Sequence, residues 1–540
     1  MDRKELANLI FPDIKDYTYY EEKYPERNLP EGAEVVRVAP SPTGFIHVGG
    51  LFQGLIAKTI AKKTNGVFYV RIEDTDQKRK IENGAEEILS AFEEYDISPD
   101  ETVGKGNYGP YIQSERQEIY KSYAKKLLEE GNAYPCFCSP EELDKIREDQ
   151  TKAQERTGYY GKWAKCRNMP VDMAIEKIKN GDPYIIRFKS PGNPDRKIKH
   201  KDIIKGNIDF PENDQDIVII KSDGLPTYHF AHAVDDHLMH TTIVTRSDEW
   251  VSSLPLHIQL FTVLGFKVPK YAHTAPLMKQ EGDSKRKLSK RKDPEAAVSY
   301  YTEEGIPKES VKEYLMNIAN SNFEIWRKQN PDKQIEDFDF DLRKMGVSGA
   351  LFDMVKMLDV SKNVISKLSA EEVYKESYKW ASRFDPELKE MLDDKEYSMK
   401  VLGIERGNVK PRKDIAKWSD VKNSIYYMYP EKFDTIKDFE YQKITDKEDI
   451  DKIVKLYFEK YYDESDDKQT WFDKMKDLSG ELGYAREVKE FKANPDAYKA
   501  HVGDVSTVIR VTLTGRCNTP DLYEIMQVLG KEEIMRRVSK

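Results

Sequence analysis

Val38 to Leu51 reads V-A-P-S-P-T-G-F-I-H-V-G-G-L, with two prolines and Gly44 forcing a turn just before His47 and a helical segment from about Gly50 to Lys62. Exposed backbone N–H groups and the positive end of a helix dipole favour an anion at such a place. Glycines let a nucleotide approach the backbone, and His47 can donate to a reacting phosphate. Much later, Ser284 to Lys292 reads S-K-R-K-L-S-K-R-K, where Leu288 and Ser289 interrupt the charges as an ordered loop would. A lysine delivered from it can neutralise phosphate charge that develops in a transition state. Glu73 ends an apolar run and faces the same mouth, and Arg246 ends T-I-V-T-R, at the edge where open α/β sheets bind ligands.

Two further clusters have ligand-like spacing. Cys136 and Cys138, with Cys166 further on, resemble a structural zinc site with its fourth tetrahedral position open. Tyr160, Tyr159, a distant His200 or water could fill it, with Tyr160 the protein ligand expected here; small buried thiols with no metal are the alternative. His229, His232, Asp235, Asp236, His237 and His240 recur by threes and fours. On a helix they could mimic a metal face, or they could line a cleft as hydrogen-bonding imidazoles. Asp74 and Asp76 of R-I-E-D-T-D could cap a following helix. Gly104 to Gly109 matches G-x-G-x-x-G, but no strand precedes it and Pro110 follows, so it is not a dinucleotide fingerprint.

The elements that must position these residues follow from periodicity. Short apolar runs at Val35–Ala39 and Gly66–Ile72 alternate with helical patterns at 51–63, 84–92 and 116–130, the order expected of βαβ units on a parallel sheet. A strand D-I-V-I-I-K and the His-rich helix resume that pattern from Asp216, and beyond Glu295 the chain reads as all-helical, with a hinge expected at Asn408–Lys413. Residues 1–33 read as a helix plus an extended lead-in with no evident chemistry.

At 540 residues the chain should hold three or four domains of roughly 100–200 residues. Acidic residues stand where a secretory apolar region would be, and no apolar run approaches the ~18 residues of a membrane span, so neither is expected. Four cysteines in so long a chain argue for a reducing, cytoplasmic setting. A net charge of −9 argues against indiscriminate polyanion binding and leaves room for basic patches on an RNA-reading face.

S-P-T-G-F-I-H-V-G-G and K-L-S-K-R, in this order and roughly 240 residues apart, resemble the two signatures of class I aminoacyl-tRNA synthetases, the HIGH and KMSKS motifs. R-I-E-D-T-D, G-P-Y-I-Q-S-E-R, S-D-G-L-P-T-Y-H-F-A and L-T-G-R further resemble the bacterial-type glutamyl-tRNA synthetases, from about Val35 to the C-terminus. Gly50 stands where glutaminyl and archaeal-type relatives usually carry a second His. The helical tail also differs from their β-barrels, and its presence separates the chain from short paralogues lacking an anticodon-binding region.

The resemblance implies an α/β Rossmann-type catalytic domain with a parallel sheet, an inserted acceptor-binding domain and an all-α anticodon-binding region. The implied bounds are 1–33 for the extension, 34–135 and 201–295 for the catalytic halves, 136–200 for the insert, 296–407 for a helical linking domain and 408–540 for anticodon binding. It implies ligation of L-glutamate to tRNA(Glu) with ATP through glutamyl-adenylate, the tRNA 2′-hydroxyl as acceptor and no covalent enzyme intermediate. The alternatives are an enzyme that also charges tRNA(Gln) or a non-catalytic tRNA-binding relative. Arg37, Ala39, Ser41, Glu73, Tyr228, His232 and Arg246 would form the glutamate pocket, Arg246 facing the γ-carboxylate and Glu73 the α-ammonium. His232 stands where many members have Asn. His47, Gly49, Trp250, Lys287 and Lys290 would surround ATP, with His47, Lys287 and Lys290 catalytic. Mg²⁺ would accompany ATP, the family varies at the cysteine cluster between a structural Zn²⁺, here on Cys136, Cys138, Cys166 and Tyr160, and no metal, and the chain would be a monomer without membrane contact.

Overall fold

The computed structural model describes residues 2–42, 44, 46–78 and 81–539, so Thr43 and Phe45 of the proline-glycine turn lie outside the described residues. The chain forms two compact units, one of residues 1–300 with 312–353 and the other of 301–311 with 354–540.

In the first unit the run Val35–Val38 is buried throughout and forms an inner strand of a four-stranded parallel sheet. It pairs with Val67–Val70 on one side and with Ile243–Ser247 on the other, and Ile243–Ser247 then pairs with Lys270–Thr274. Strands buried on both faces have no polar side to alternate with, which is why they read as continuous apolar runs. The chain order reverses between Val35–Val38 and Ile243–Ser247, and a crevice at such a reversal is where open parallel sheets bind nucleotides. Helix Val48–Lys63 packs beside the sheet, with Leu51, Phe52, Leu55, Ile56 and Ile60 buried. Gly54 permits close packing there, since a Cβ on it would lie 2.3 Å from the Phe92 ring.

Several expectations are corrected. The helix after R-I-E-D-T-D begins at Gly84 with Asn83 at its cap position, so neither Asp74 nor Asp76 caps it. Asp74 is buried and instead accepts the Ser114 amide at 2.8 Å and hydroxyl at 2.7 Å, joining two loops of the cleft. Residues 1–33 hold two helices, Arg3–Ile10 and Tyr17–Lys23, capped by Asp2 and Asp16. Leu6, Ile10, Phe11, Tyr20 and Tyr24 share a core with Ile119, Tyr123 and Leu127 of helix Gln117–Glu130. The basic stretch Ser284–Lys287 is a strand, antiparallel to Leu277–Glu281, and Ala350–Leu351 adds a parallel partner, so the chain beyond Glu295 is not wholly helical. Two residues are too few to show a period in sequence.

A three-stranded antiparallel sheet of Ala133–Cys136, Ile185–Phe188 and Val218–Ile220 underlies the cysteine region. In the second unit one helical core runs from Ile365 through Trp380, Trp418, Ile453 and Ile509 to Ile534. Helix Val502–Thr514 ends at Gly515 of L-T-G-R, whose φ of +68° suits glycine.

Candidate active site

His47 occupies the N-cap of helix Val48–Lys63, and its Nδ1 accepts the Gly49 amide at 2.9 Å. Because Nδ1 accepts, the ring's proton resides on Nε2, the nitrogen that donates to the Leu288 backbone. A Cβ on Gly49 would sit 3.0 Å from that Nδ1, so the glycine keeps the cap open. The basic loop reaches the same place: His47 pairs with Ala297, the Ile46 carbonyl accepts the Val298 amide at 3.2 Å, and the His47 ring hydrogen-bonds the Leu288 backbone. Burial, then Lys290, then Lys287 push the His47 imidazole down to about 4, so it is neutral at physiological pH. The loop is pinned by Asp293, which is buried and accepts a two-pronged bond from Arg286 at 2.6 and 2.8 Å and another from the Ser289 amide at 2.9 Å. Lys287 is ion-paired with Glu249. The two distant motifs are therefore one structure.

Beside them lies a buried ionic network. Asp236 accepts from Arg37 at 3.0 Å and Arg71 at 2.7 Å and contacts His232 Nδ1 at 2.8 Å, and the two arginines hold its carboxyl far below the ordinary range despite burial. Asp235 accepts from Arg116 at 2.6 Å, Gln113 at 2.9 Å and the Tyr120 hydroxyl at 2.7 Å. Glu73 accepts from Arg71 at 3.2 Å, and burial, opposed by Arg71 and Arg37, pushes its carboxyl up to about 7. Tyr228 opens helix Tyr228–Leu238 with its ring 4.3 Å from that of Trp250. Arg246 lies next to the end of its strand, with Nε donating to His273 Nε2 at 3.0 Å and Nη1 to His257 Nδ1 at 3.0 Å. Ala39 is half-buried and Ser41 exposed just beyond the end of strand Val35–Val38. His232 has no exposed surface, and its Nε2 meets the Tyr271 hydroxyl at 3.0 Å, so it backs Arg37 from behind.

The histidines of the spaced helix are engaged one by one. His229 Nδ1 meets His257 Nε2 at 2.8 Å, His237 meets Glu21 at 3.0 Å, and His240 meets the Tyr24 carbonyl at 2.9 Å. They brace this helix against its neighbours, and two of the braces come from the N-terminal extension.

Cys136, Cys138 and Cys166 do converge, with ligand atoms all within 4.8 Å of one another. The nearby phenol is Tyr159, not Tyr160: its hydroxyl lies 3.4 Å from Cys136 Sγ and 3.3 Å from Cys138 Sγ and accepts the Cys166 amide at 3.1 Å. Tyr160 turns its hydroxyl to the Arg156 carbonyl, and the His200 ring packs on Tyr271. Adjacent residues in an extended stretch point to opposite sides, which one-residue reasoning could not decide. Three soft thiolates and one phenolic oxygen fit a tetrahedral zinc ion as a donor set.

The sequence reading missed His257, His273, Asp202 and Tyr271. A signal existed for His257 and His273: each stands inside an apolar run, L-P-L-H-I-Q-L and Y-A-H-T, where a buried polar ring must find a partner.

Residues 34–336 match the family model described as class I tRNA synthetases (E and Q), catalytic domain, and residues 379–540 match an anticodon binding domain. A glutamate–tRNA ligase of Clostridium perfringens is 51% identical over 547 residues, covering 100% of both chains, and one of Acetivibrio thermocellus is 49% identical, also covering 100% of both. The crystal structure of a glutamate tRNA ligase from Elizabethkingia meningosepticum in complex with its amino acid superposes with a TM-score of 0.71 at 27% identity, covering 94% of this chain and 98% of that one. The chain thus belongs to the class I tRNA synthetases of the glutamate and glutamine group, with their catalytic domain followed by an anticodon-binding domain.

Proposed function

We propose that the protein is a glutamate–tRNA ligase, joining L-glutamate to tRNA(Glu) with ATP through glutamyl-adenylate. The observation that carries this reading is the junction of His47 with the loop bearing Lys287 and Lys290, beside a buried pocket holding Glu73, Arg37 and Arg246. An oxygen of the glutamate α-carboxylate attacks the ATP α-phosphate, pyrophosphate leaves, and the terminal ribose 2′-hydroxyl of the tRNA then takes the glutamyl group as AMP leaves. Lys290 donates to the phosphate as its charge rises, His47 Nε2–H exchanges the Leu288 backbone for a phosphate oxygen, Lys287 assists, and Gly49 and Trp250 border the nucleotide. Mg²⁺ carried on ATP would offset the negative charge of its phosphates.

In the amino-acid pocket Arg246 faces the γ-carboxylate and Glu73 the α-ammonium, with Ala39, Ser41 and Tyr228 as walls. Arg37 and His232 form the floor, the charge of Arg37 settled by Asp236. Cys136, Cys138, Cys166 and Tyr159 would hold a structural Zn²⁺ that ties the end of strand Ala133–Cys136 to the loop before Cys166. The segments 136–200, 296–407 and 408–540 are assigned to the acceptor end, the linking region and the anticodon. The protein acts as a monomer in the cytoplasm; among the described residues no helix is long and apolar enough to cross a membrane.

Charging of separated tRNA(Glu) and tRNA(Gln) with labelled glutamate is the test. Glutamyl-tRNA(Glu) is expected, and charging of tRNA(Gln) alone would overturn the proposal.

A further inference from the structure

The two pocket arginines are held in different ways. Arg37 is ion-paired with the buried carboxylate of Asp236, so its charge is largely spent inside the protein. Arg246 is 5% exposed, and among the described residues its three hydrogen-bond partners are uncharged: His273 on Nε at 3.0 Å, His257 on Nη1 at 3.0 Å and the Trp250 carbonyl on Nη2 at 3.4 Å. Its guanidinium also faces the Tyr271 ring at 4.9 Å.

The proton positions along this line have one consistent solution. Guanidinium only donates and carboxylate only accepts. Asp202 is buried and contacts His273 Nδ1 at 2.6 Å, so Nδ1 carries the proton and His273 Nε2 is free to accept from Arg246. His257 Nδ1 accepts from Arg246, so its Nε2 carries the proton and donates to His229 Nδ1 at 2.8 Å. Asp202 itself is fixed by the Ile204 and Lys205 amides, each at 2.9 Å. Every ring in the line bears one proton and no charge. Burial acts in the same sense, pushing His257 well below the ordinary imidazole value, His229 down to about 4 and His273 downward.

We propose that Asp202, His273, His257 and His229 form a hydrogen-bonded chain that orients Arg246, with His257 and His273 as positioning residues for recognition of the substrate's side-chain carboxylate. Of the five guanidinium N–H groups, three are committed, which leaves one hydrogen on each terminal nitrogen for a two-pronged bond to that carboxylate. Holding Arg246 with imidazoles instead of carboxylates fixes its plane while leaving its charge for the ligand, and that difference favours glutamate over the uncharged glutamine. This inference rests on the assignment of Arg246 to the γ-carboxylate.

Two substitutions separate orientation from packing. Asn can place its Oδ1 where His257 Nδ1 accepts, whereas Leu fills the space without an acceptor. Aminoacylation by the full-length enzyme should give a KM for glutamate raised about 10–100-fold in both Arg246→Ala and His257→Leu, with the KM for ATP within about threefold and glutamine competing better. His257→Asn should stay within about threefold of the parent. If His257→Leu fails to fold, His273→Gln against His273→Leu makes the same comparison, because Gln Oε1 can replace the accepting Nε2. A normal glutamate KM in Arg246→Ala would overturn the underlying pocket assignment. A raised KM there, together with a normal one in the acceptor-free variant, or equal impairment by the Asn (or Gln) and Leu variants, would overturn the chain.

Discussion

Nδ1 of His47 accepts the amide of Gly49 at 2.9 Å, so one ring both caps the helix Val48–Lys63 and is left with its proton on the opposite nitrogen. The two duties can be separated. His47→Asn keeps an acceptor at the cap and loses the outer donor, so adenylate formation should fall about 10²–10³-fold with little change in thermal midpoint. His47→Ala should lose about 0.5–2 kcal/mol of stability as well. Pyrophosphate exchange and thermal unfolding on both variants check this, and equal midpoints for the two would refute the capping role.

Lys290→Ala should slow adenylate formation about 10²–10³-fold while tRNA binding changes little, because the lysine acts on charge present chiefly in the transition state. Exchange assays run with tRNA present, beside a filter-binding measurement, separate the two effects. Parent-like exchange would remove Lys290 from the mechanism.

Glu73 sets a pH dependence. Burial lifts its carboxyl from 4.5 to about 7, and only the ionised form can hold an ammonium. The value of kcat/KM for glutamate should therefore decline toward tenfold per pH unit below about 7, and Glu73→Gln should be low and flat over the same range. The stability sign is opposite. A raised carboxyl keeps an extra proton in the folded chain, so its contribution is fully present below 4.5 and is lost as pH rises through about 7.

Metal analysis of the purified chain should find about one zinc per molecule. Cys138→Ser and Tyr159→Phe should lower retention against a chelator, and Tyr160→Phe should not, since its hydroxyl turns to the Arg156 carbonyl. A content near zero under non-chelating conditions rejects the site.

Asp236→Ala would leave Arg37 and Arg71 buried without their shared carboxylate. Breaking a buried ion pair from one side typically costs about 3–5 kcal/mol, so a marked fall in the denaturant midpoint is expected. A variant as stable as the parent would mean that water or Glu73 takes over the charge.

The sequence by itself determined a great deal. Buried parallel strands, a capped helix and a lysine-rich loop leave local signals, because apolar runs, prolines, glycines and charge clusters act within a few residues of one another. Val35–Val38, His47, Arg246 and the lysine loop were all legible on those grounds. Tertiary structure decided what depends on where distant side chains meet. It brought His47 to the Leu288 backbone, selected Tyr159 over its neighbour for the thiol cluster, and gave Asp74 to Ser114 instead of a helix end. It also sent the spaced histidines to separate partners and left Arg246 with imidazoles while Arg37 received a carboxylate. Such choices turn on direction and burial over long sequence separations, and neither periodicity nor composition carries that information.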